Sequence, residues 1–179
     1  MSFGVAAAPL LTASPRDLQG MMEGGRPVSA QELAGRWYRG TSLGLPEWVE
    51  RLAWKTFAKT FHPTASGVMG WNVRLCQDGL EAPPVPMKRR GAPLVFGFYR
   101  VNDGPVLELD YGVRPNPLLD PTRMVRDPLV ALGGGVLLGR TWVSFVGIRL
   151  PTPSFFVLEP AGAIPGTVID AARARGLGG

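Results

Sequence analysis

The chain has 179 residues, of which 45% are hydrophobic and 18% charged, with 24 Gly and 18 Pro. That balance excludes a disordered chain, is long enough for one domain with a full core, and calls for many turns, which favours β-rich over helical-bundle architecture. The formal charge is +5; the single cysteine, Cys76, excludes an internal disulfide framework, and with one histidine, His62, no metal site and no cofactor is expected.

The first stretch, Phe3–Thr12, is mildly apolar but lacks a basic leader and a cleavage site, so no secretory signal is expected. No apolar run elsewhere approaches membrane-spanning length. With the lone cysteine, this places the protein in the cytoplasm. Ser14-Pro15 is an N-cap followed by proline at the first helical position, and the helix should end at Gly24-Gly25. Residues 1–27 thus read as an N-terminal extension with a short helix. Ser29-Ala30-Gln31-Glu32 is a capping box opening one turn that stops at Gly35, with a strand beginning through Trp37 and Tyr38.

From Pro46 to Phe61 the pattern predicts a helix, again with proline at its start and Pro63 against its continuation. Leu45, Trp48, Val49, Leu52 and Ala53 share one face, while Trp54, Phe57 and Phe61 form a second apolar stripe. The polar arc of Glu47, Arg51 and Lys55 is narrow, so this helix needs cover on two sides, either as a lid over a cavity or wedged wholly into core. His62 at its end reads as an imidazolium meeting the helix dipole rather than as a general base.

Beyond Pro63 the period becomes two. Met69, Trp71, Val73 and Leu75 alternate with Gly70, Asn72, Arg74 and Cys76, and Leu107, Leu109 and Tyr111 alternate with Glu108 and Asp110. Leu94–Val101 is apolar on both faces and turns at Asn102-Asp103-Gly104 into the next strand. Further strands are predicted at Met124–Leu132, Val136–Val146 and Ser154–Glu159, with Gly133-Gly134-Gly135 as a turn that lacks the lysine of a phosphate loop. The basic run Lys88-Arg89-Arg90 has no stacking aromatics and reads as a solvated loop. No nucleic-acid partner is expected; peripheral contact with an anionic membrane surface stays open. Residues 163–179 form a C-terminal segment, in which Thr167–Arg175 packs Val168, Ile169 and Ala172 on the outside of the fold before a mobile Gly176–Gly179 tail. Successive strands with local turns make an antiparallel meander, and closing it removes its edges. The fold class is therefore mainly β: a single antiparallel up-and-down barrel over residues 28–162, including the helix at 46–61.

The segment Leu33-Ala34-Gly35-Arg36-Trp37-Tyr38 resembles the lipocalin signature, a short helical turn followed by Gly-x-Trp on the first strand. Gly35 through Gly40 is also similar to the Gly-x-Trp-x-Gly element of small bacterial proteins, with one residue too many. The lipocalin resemblance implies that Gly35 permits the tight turn and that Trp37 plugs the closed end of a lipocalin-like barrel. The family's arginine near the last strand is replaced in Phe155-Phe156-Val157-Leu158-Glu159 by an acid, leaving Arg140 or Arg149 as substitutes.

A small barrel can enclose one ligand, so the expected function is binding of a hydrophobic or amphipathic small molecule, such as a lipid, a fatty acid or a polyketide-like compound. Two alternatives remain: a cofactor-independent isomerase or cyclase using the same cavity, and an interaction module using the basic face. Candidate ligand contacts are Trp54, Phe57, Phe61, Trp71, Tyr99, Tyr111, Arg140 and Trp142. Tyr99 and Tyr111 combine a ring with a hydroxyl. Arg140, if buried, requires a carboxylate from the ligand, Glu108 or Asp110. No motif marks a catalytic residue.

Overall fold

Two serines start the N-terminal helices. In the computed structural model, which describes residues 4, 6–43, 55–145 and 148–177, a turn α1 (Ala7–Leu10) is followed by α2 (Pro15–Gly24) and the single-turn α3 (Ala30–Leu33). Ser14 accepts from the Asp17 amide at 3.2 Å and Ser29 from the Glu32 amide at 3.3 Å, and each carboxylate accepts from its serine's amide in return. Both capping boxes thereby satisfy donors that the helix cannot. Gly35 then takes a φ of +79°, which a side chain would resist, and turns the chain into the first strand.

Eight strands close a barrel: β1 (Arg36–Leu43), β2 (Thr56–Thr64), β3 (Gly67–Arg74), β6 (Val95–Asn102), β7 (Leu107–Asp110), β8 (Val125–Gly133), β9 (Val136–Phe145) and β10 (Ile148–Ala163). A small hairpin of β4 (Lys88–Arg89) and β5 (Ala92–Pro93) lies outside it. Each barrel strand runs antiparallel to its neighbours in sequence, and β10 pairs with β1 to close the ring, with Arg36 opposite Ala163 and Leu43 opposite Phe155. The mainly β, up-and-down antiparallel architecture is thus present. A last helix, α4 (Gly166–Arg173), follows β10.

The helix expected from Pro46 to Phe61 is not formed over its final third. Thr56–Thr64 is strand β2, paired with β1 on one side and β3 on the other; residues 46–54 lie outside the described residues. Phe57 and Phe61 are four apart, so they share a face under a period of two as well as under 3.6. The threonines and phenylalanines of Thr56–Phe61 suit a pleated surface, and pairing on both edges decides the outcome. His62 consequently caps no helix. Its ring lies 5.9 Å from that of Trp71, and burial and the Arg173 guanidinium hold its imidazole below its usual pKa.

Three apolar clusters form. Inside the barrel, Tyr38, Phe61, Tyr99, Leu109, Leu129 and Leu158 fill one end, which α3 closes with Val28, Ala30 and Leu33. Outside, α1 and α2 bury Leu10 and Leu18 against Val130, Leu138, Phe155 and Val157. On another outer face α4 buries Val168 and Ala172 against Trp37, Ala58, Trp71, Val73 and Phe98. Leu177 is buried in the same layer, so the tail is packed at least that far.

Trp37 therefore does not plug the barrel's end. It points outward under α4 and donates from its indole to the Ala161 carbonyl at 3.0 Å, while Tyr38 turns inward. The reason is alternation: the side chains of adjacent residues on a strand take opposite faces, and α4 supplies apolar cover for the outer one. Arg140 and Arg149 do not serve Trp37 either. Arg140 stacks on Trp142 and Phe155, and Arg149 pairs with Glu108 at 2.7 Å.

Three glycines set the interior shape. Gly40 faces Phe57, Gly70 faces Tyr99 and Gly139 faces Phe156 across paired strands. A Cβ at these glycines would come within 2.3–2.4 Å of the facing ring. Each ring thus lies across the bare backbone of its neighbour, which lets large aromatics line a narrow barrel.

Candidate functional site

Opposite the end that α3 closes, the barrel holds a pocket of about 260 Å³ whose wall combines aromatic rings with a larger number of polar side chains. Phe57, Phe96 and Phe156 supply the apolar wall, and Lys59, Asn72, Tyr111 and Asp127 the polar one. These polar residues come from β2, β3, the end of β7 and β8, each inward-facing by the alternation of its strand.

Lys59 is the centre of the polar group, and it is 3% exposed. Its ammonium donates to Asn72 Oδ1 at 3.0 Å, to Asp127 Oδ2 at 3.1 Å, and to the Tyr111 hydroxyl. Asn72 donates from its amide to the Gly97 carbonyl at 3.1 Å and to the Tyr111 hydroxyl at 3.5 Å, which fixes its oxygen toward Lys59. The Tyr111 hydroxyl, accepting from Lys59, donates to Asp127 Oδ2 at 2.9 Å. As an ammonium, Lys59 has one hydrogen for each of these three acceptors, and Asp127 stands beside it as its ion-pair partner. The rings of Phe57, Tyr99, Tyr111 and Phe156 stand 4.8–5.5 Å from the same nitrogen and add cation–π attraction.

Burial alone pushes the Lys59 pKa down, against the pull of Asp127's charge and hydrogen bond. Burial and the Asp127 charge push the phenols of Tyr99 and Tyr111 well up, and burial raises Tyr38 as well. These are the chain's three tyrosines. We expect no tyrosinate absorbance near pH 10 while the protein is folded, only a step that coincides with unfolding. The native state holds phenolic protons that the unfolded chain releases, so stability should fall as pH rises past about 10. An ultraviolet titration beside circular dichroism checks this; a reversible native-state titration at ordinary phenol pH would refute it.

One atom of the cluster is left over. Asp127 Oδ1 is buried and has no hydrogen-bond partner among the described residues. Buried polar atoms are nearly always paired, so this oxygen marks a place for a donor.

The residues singled out in the sequence are divided by the fold. Phe57 and Tyr111 line the pocket; Phe61 and Tyr99 lie in the interior core, where Tyr99 donates to the Thr60 carbonyl at 2.8 Å. Trp71 is buried on the outer face under α4. Arg140 and Trp142 flank an outer groove beside α2, where Arg140 donates to Gln19 Oε1 at 2.6 Å and to the Thr152 carbonyl at 2.9 Å. Its partner is therefore neither Glu108 nor Asp110, which pair with Arg149 and Arg126. Trp54 lies outside the described residues. Lys59 and Asp127 carry the site and escape the sequence reading, although Phe57, Lys59 and Phe61 on one strand face would have shown a lysine held between two inward rings.

Among the described residues no cluster of three or more His, Cys, Asp or Glu could hold a metal, and no helix is long and apolar enough to cross a membrane. The Lys88-Arg89-Arg90 run is exposed on the outer hairpin, away from the pocket lining. Compared with known proteins, the chain matches no protein-family model, no curated protein and no solved structure.

Proposed function

We propose that this protein binds a compact amphipathic small molecule in the barrel pocket, as a lipocalin-like binding protein would. The observation that supports it is the juxtaposition of an aromatic wall, Phe57, Phe96 and Phe156, with the polar group of Lys59, Tyr111 and Asp127 in one cavity. Ligand pockets combine those two parts, a broad apolar surface and a few placed polar groups. At about 260 Å³ the cavity lies below the usual range for drug-sized ligands, so one or two fused rings suit it better than a full acyl chain.

Naphthalene, which is fluorescent and uncharged, is the test probe. Thr141 lines the pocket from β9 and is half-buried, so Thr141→Trp fills the space with little backbone change. The wild type should bind naphthalene, and Thr141→Trp should lose at least about tenfold in affinity with its melting temperature within a few degrees. Equal affinity in both proteins would place the binding elsewhere.

A second reading, a cofactor-independent isomerase or cyclase, is favoured by the Tyr111 hydroxyl standing between an ammonium and a carboxylate. Such a linked set can hold and pass a proton at the pocket wall. Conversion of a bound compound, rather than its recovery unchanged, separates this reading from the first.

A further inference from the structure

We infer that the pocket selects a neutral ligand carrying a hydrogen-bond donor, an aromatic alcohol or phenol, over a carboxylate or a plain hydrocarbon. This rests on the pocket being a ligand site, as proposed above, and follows from counting donors and acceptors on its polar wall. Lys59 spends all three ammonium hydrogens on Asn72, Tyr111 and Asp127. Tyr111 spends its hydrogen on Asp127, and the Asn72 amide donates to the Gly97 carbonyl and to the Tyr111 hydroxyl. Among the described residues, two buried polar atoms of the pocket wall lack a partner: Asp127 Oδ1, which can only accept, and Thr122 Oγ1, a hydroxyl that can donate or accept, so one ligand hydroxyl can serve both.

Charge points the same way. Lys59 and Asp127 neutralise each other at 3.1 Å, so an entering carboxylate finds no free cation among the described residues of the lining and meets the unpaired oxygen of another carboxylate. An entering ammonium would compete with Lys59 for the same Asp127 side chain and bring a second positive charge beside it. A hydrocarbon offers Asp127 Oδ1 no donor and leaves that buried oxygen unpaired. A neutral hydroxyl has none of these costs. Its ring can lie against Phe57 and Phe156 while its hydrogen reaches the carboxylate.

The experiment compares β-naphthol, naphthalene and β-naphthoate at neutral pH by fluorescence titration of the full chain. We expect β-naphthol to bind at least about tenfold more tightly than naphthalene, with naphthoate the weakest. In the double variant Lys59→Met, Asp127→Leu, which removes the ion pair without stranding a charge, naphthalene should bind as well as β-naphthol. If naphthalene or naphthoate matches β-naphthol in the wild type, the donor rule fails while the pocket remains a ligand site. If the double variant keeps the β-naphthol preference, the selecting group is not Asp127 and the inference also fails. If none of the three binds, both this inference and the binding function fall together.

Discussion

Asp127→Ala should destabilise the protein by about 3–5 kcal/mol, because it strands the buried Lys59 ammonium without its counter-charge. Tyr111 loses its acceptor in the same step, which adds to the loss. The double replacement Lys59→Met, Asp127→Leu should be milder, since no charge is stranded and two apolar side chains extend a wall already flanked by Phe57 and Phe156, leaving the unpaired Tyr111 hydroxyl and Asn72 oxygen as the remaining cost. A buried pair is costly to break and cheap to exchange; urea unfolding of the single and double variants measures that difference. The pH dependence gives an independent sign. With Asp127 gone, the influences that raise the Lys59 pKa go too, so burial depresses it further below 10.5. Between that lowered value and 10.5 the unfolded chain binds more protons than the folded one, and stability therefore rises with pH. Asp127→Ala should recover part of its loss between neutral pH and about pH 9.5. A loss that is small, or flat with pH, would mean that Lys59 is not held there as a buried cation.

Trp71→Ala should cost a similar amount, about 3–5 kcal/mol, for a different reason. Trp71 is fully buried between the outer face of β3 and α4, with Phe98 at 6.1 Å and His62 at 5.9 Å, and truncation leaves a cavity that those rings cannot fill. In a chain of this size that corresponds to a fall of roughly 6–20 °C in melting temperature. The indole nitrogen has no hydrogen-bond partner among the described residues, so Trp71→Phe gives up ring volume but no hydrogen bond and should lose much less. Naphthalene affinity of the folded fraction should be unchanged by either substitution, since Trp71 is on the other side of the wall from the pocket. A selective loss of probe binding with an unchanged melt would contradict this placement.

Trp71 also shows how far residues alone reveal position. The alternation Met69, Trp71, Val73 against Gly70, Asn72, Arg74 identifies a strand correctly, but not which face is inside. Apolar residues face the outer layer here because α4 covers it, while Gly70 and Asn72 face the barrel. In β7 the same pattern reads straightforwardly: Leu107 and Leu109 are inside, and Glu108 and Asp110 reach Arg149 and Arg126 outside. The helix caps at Ser14 and Ser29 and the turn at Gly133-Gly134-Gly135 are local, so they are legible from neighbours in the chain, whereas the tight turn expected at Asn102-Asp103-Gly104 is a longer connection, 103–106, between β6 and β7. Lys59 and Asp127 meet only because β2 and β8 lie across a closed barrel, and no local pattern joins them.

The seam between β1 and β10 bears on how the chain is made. Trp37 waits for the Ala161 carbonyl, 124 residues away, and Arg39 for Glu159, its buried partner at 3.7 Å on the facing strand. At about 5–20 residues per second a ribosome needs roughly 6–25 s to synthesise that interval. Through all of it β1 presents a free edge on the nascent chain, with Tyr38 and Leu43 uncovered and an arginine lacking its counter-ion. An open strand edge is a template for the wrong neighbour, so crowded polysomes, where copies of β1 emerge side by side, are where this protein is most exposed to misassembly. Once Glu159 arrives it also accepts from the Gly4 and Ala6 amides, at 3.0 and 3.1 Å, so the last barrel strand fastens the segment ahead of α1 as well.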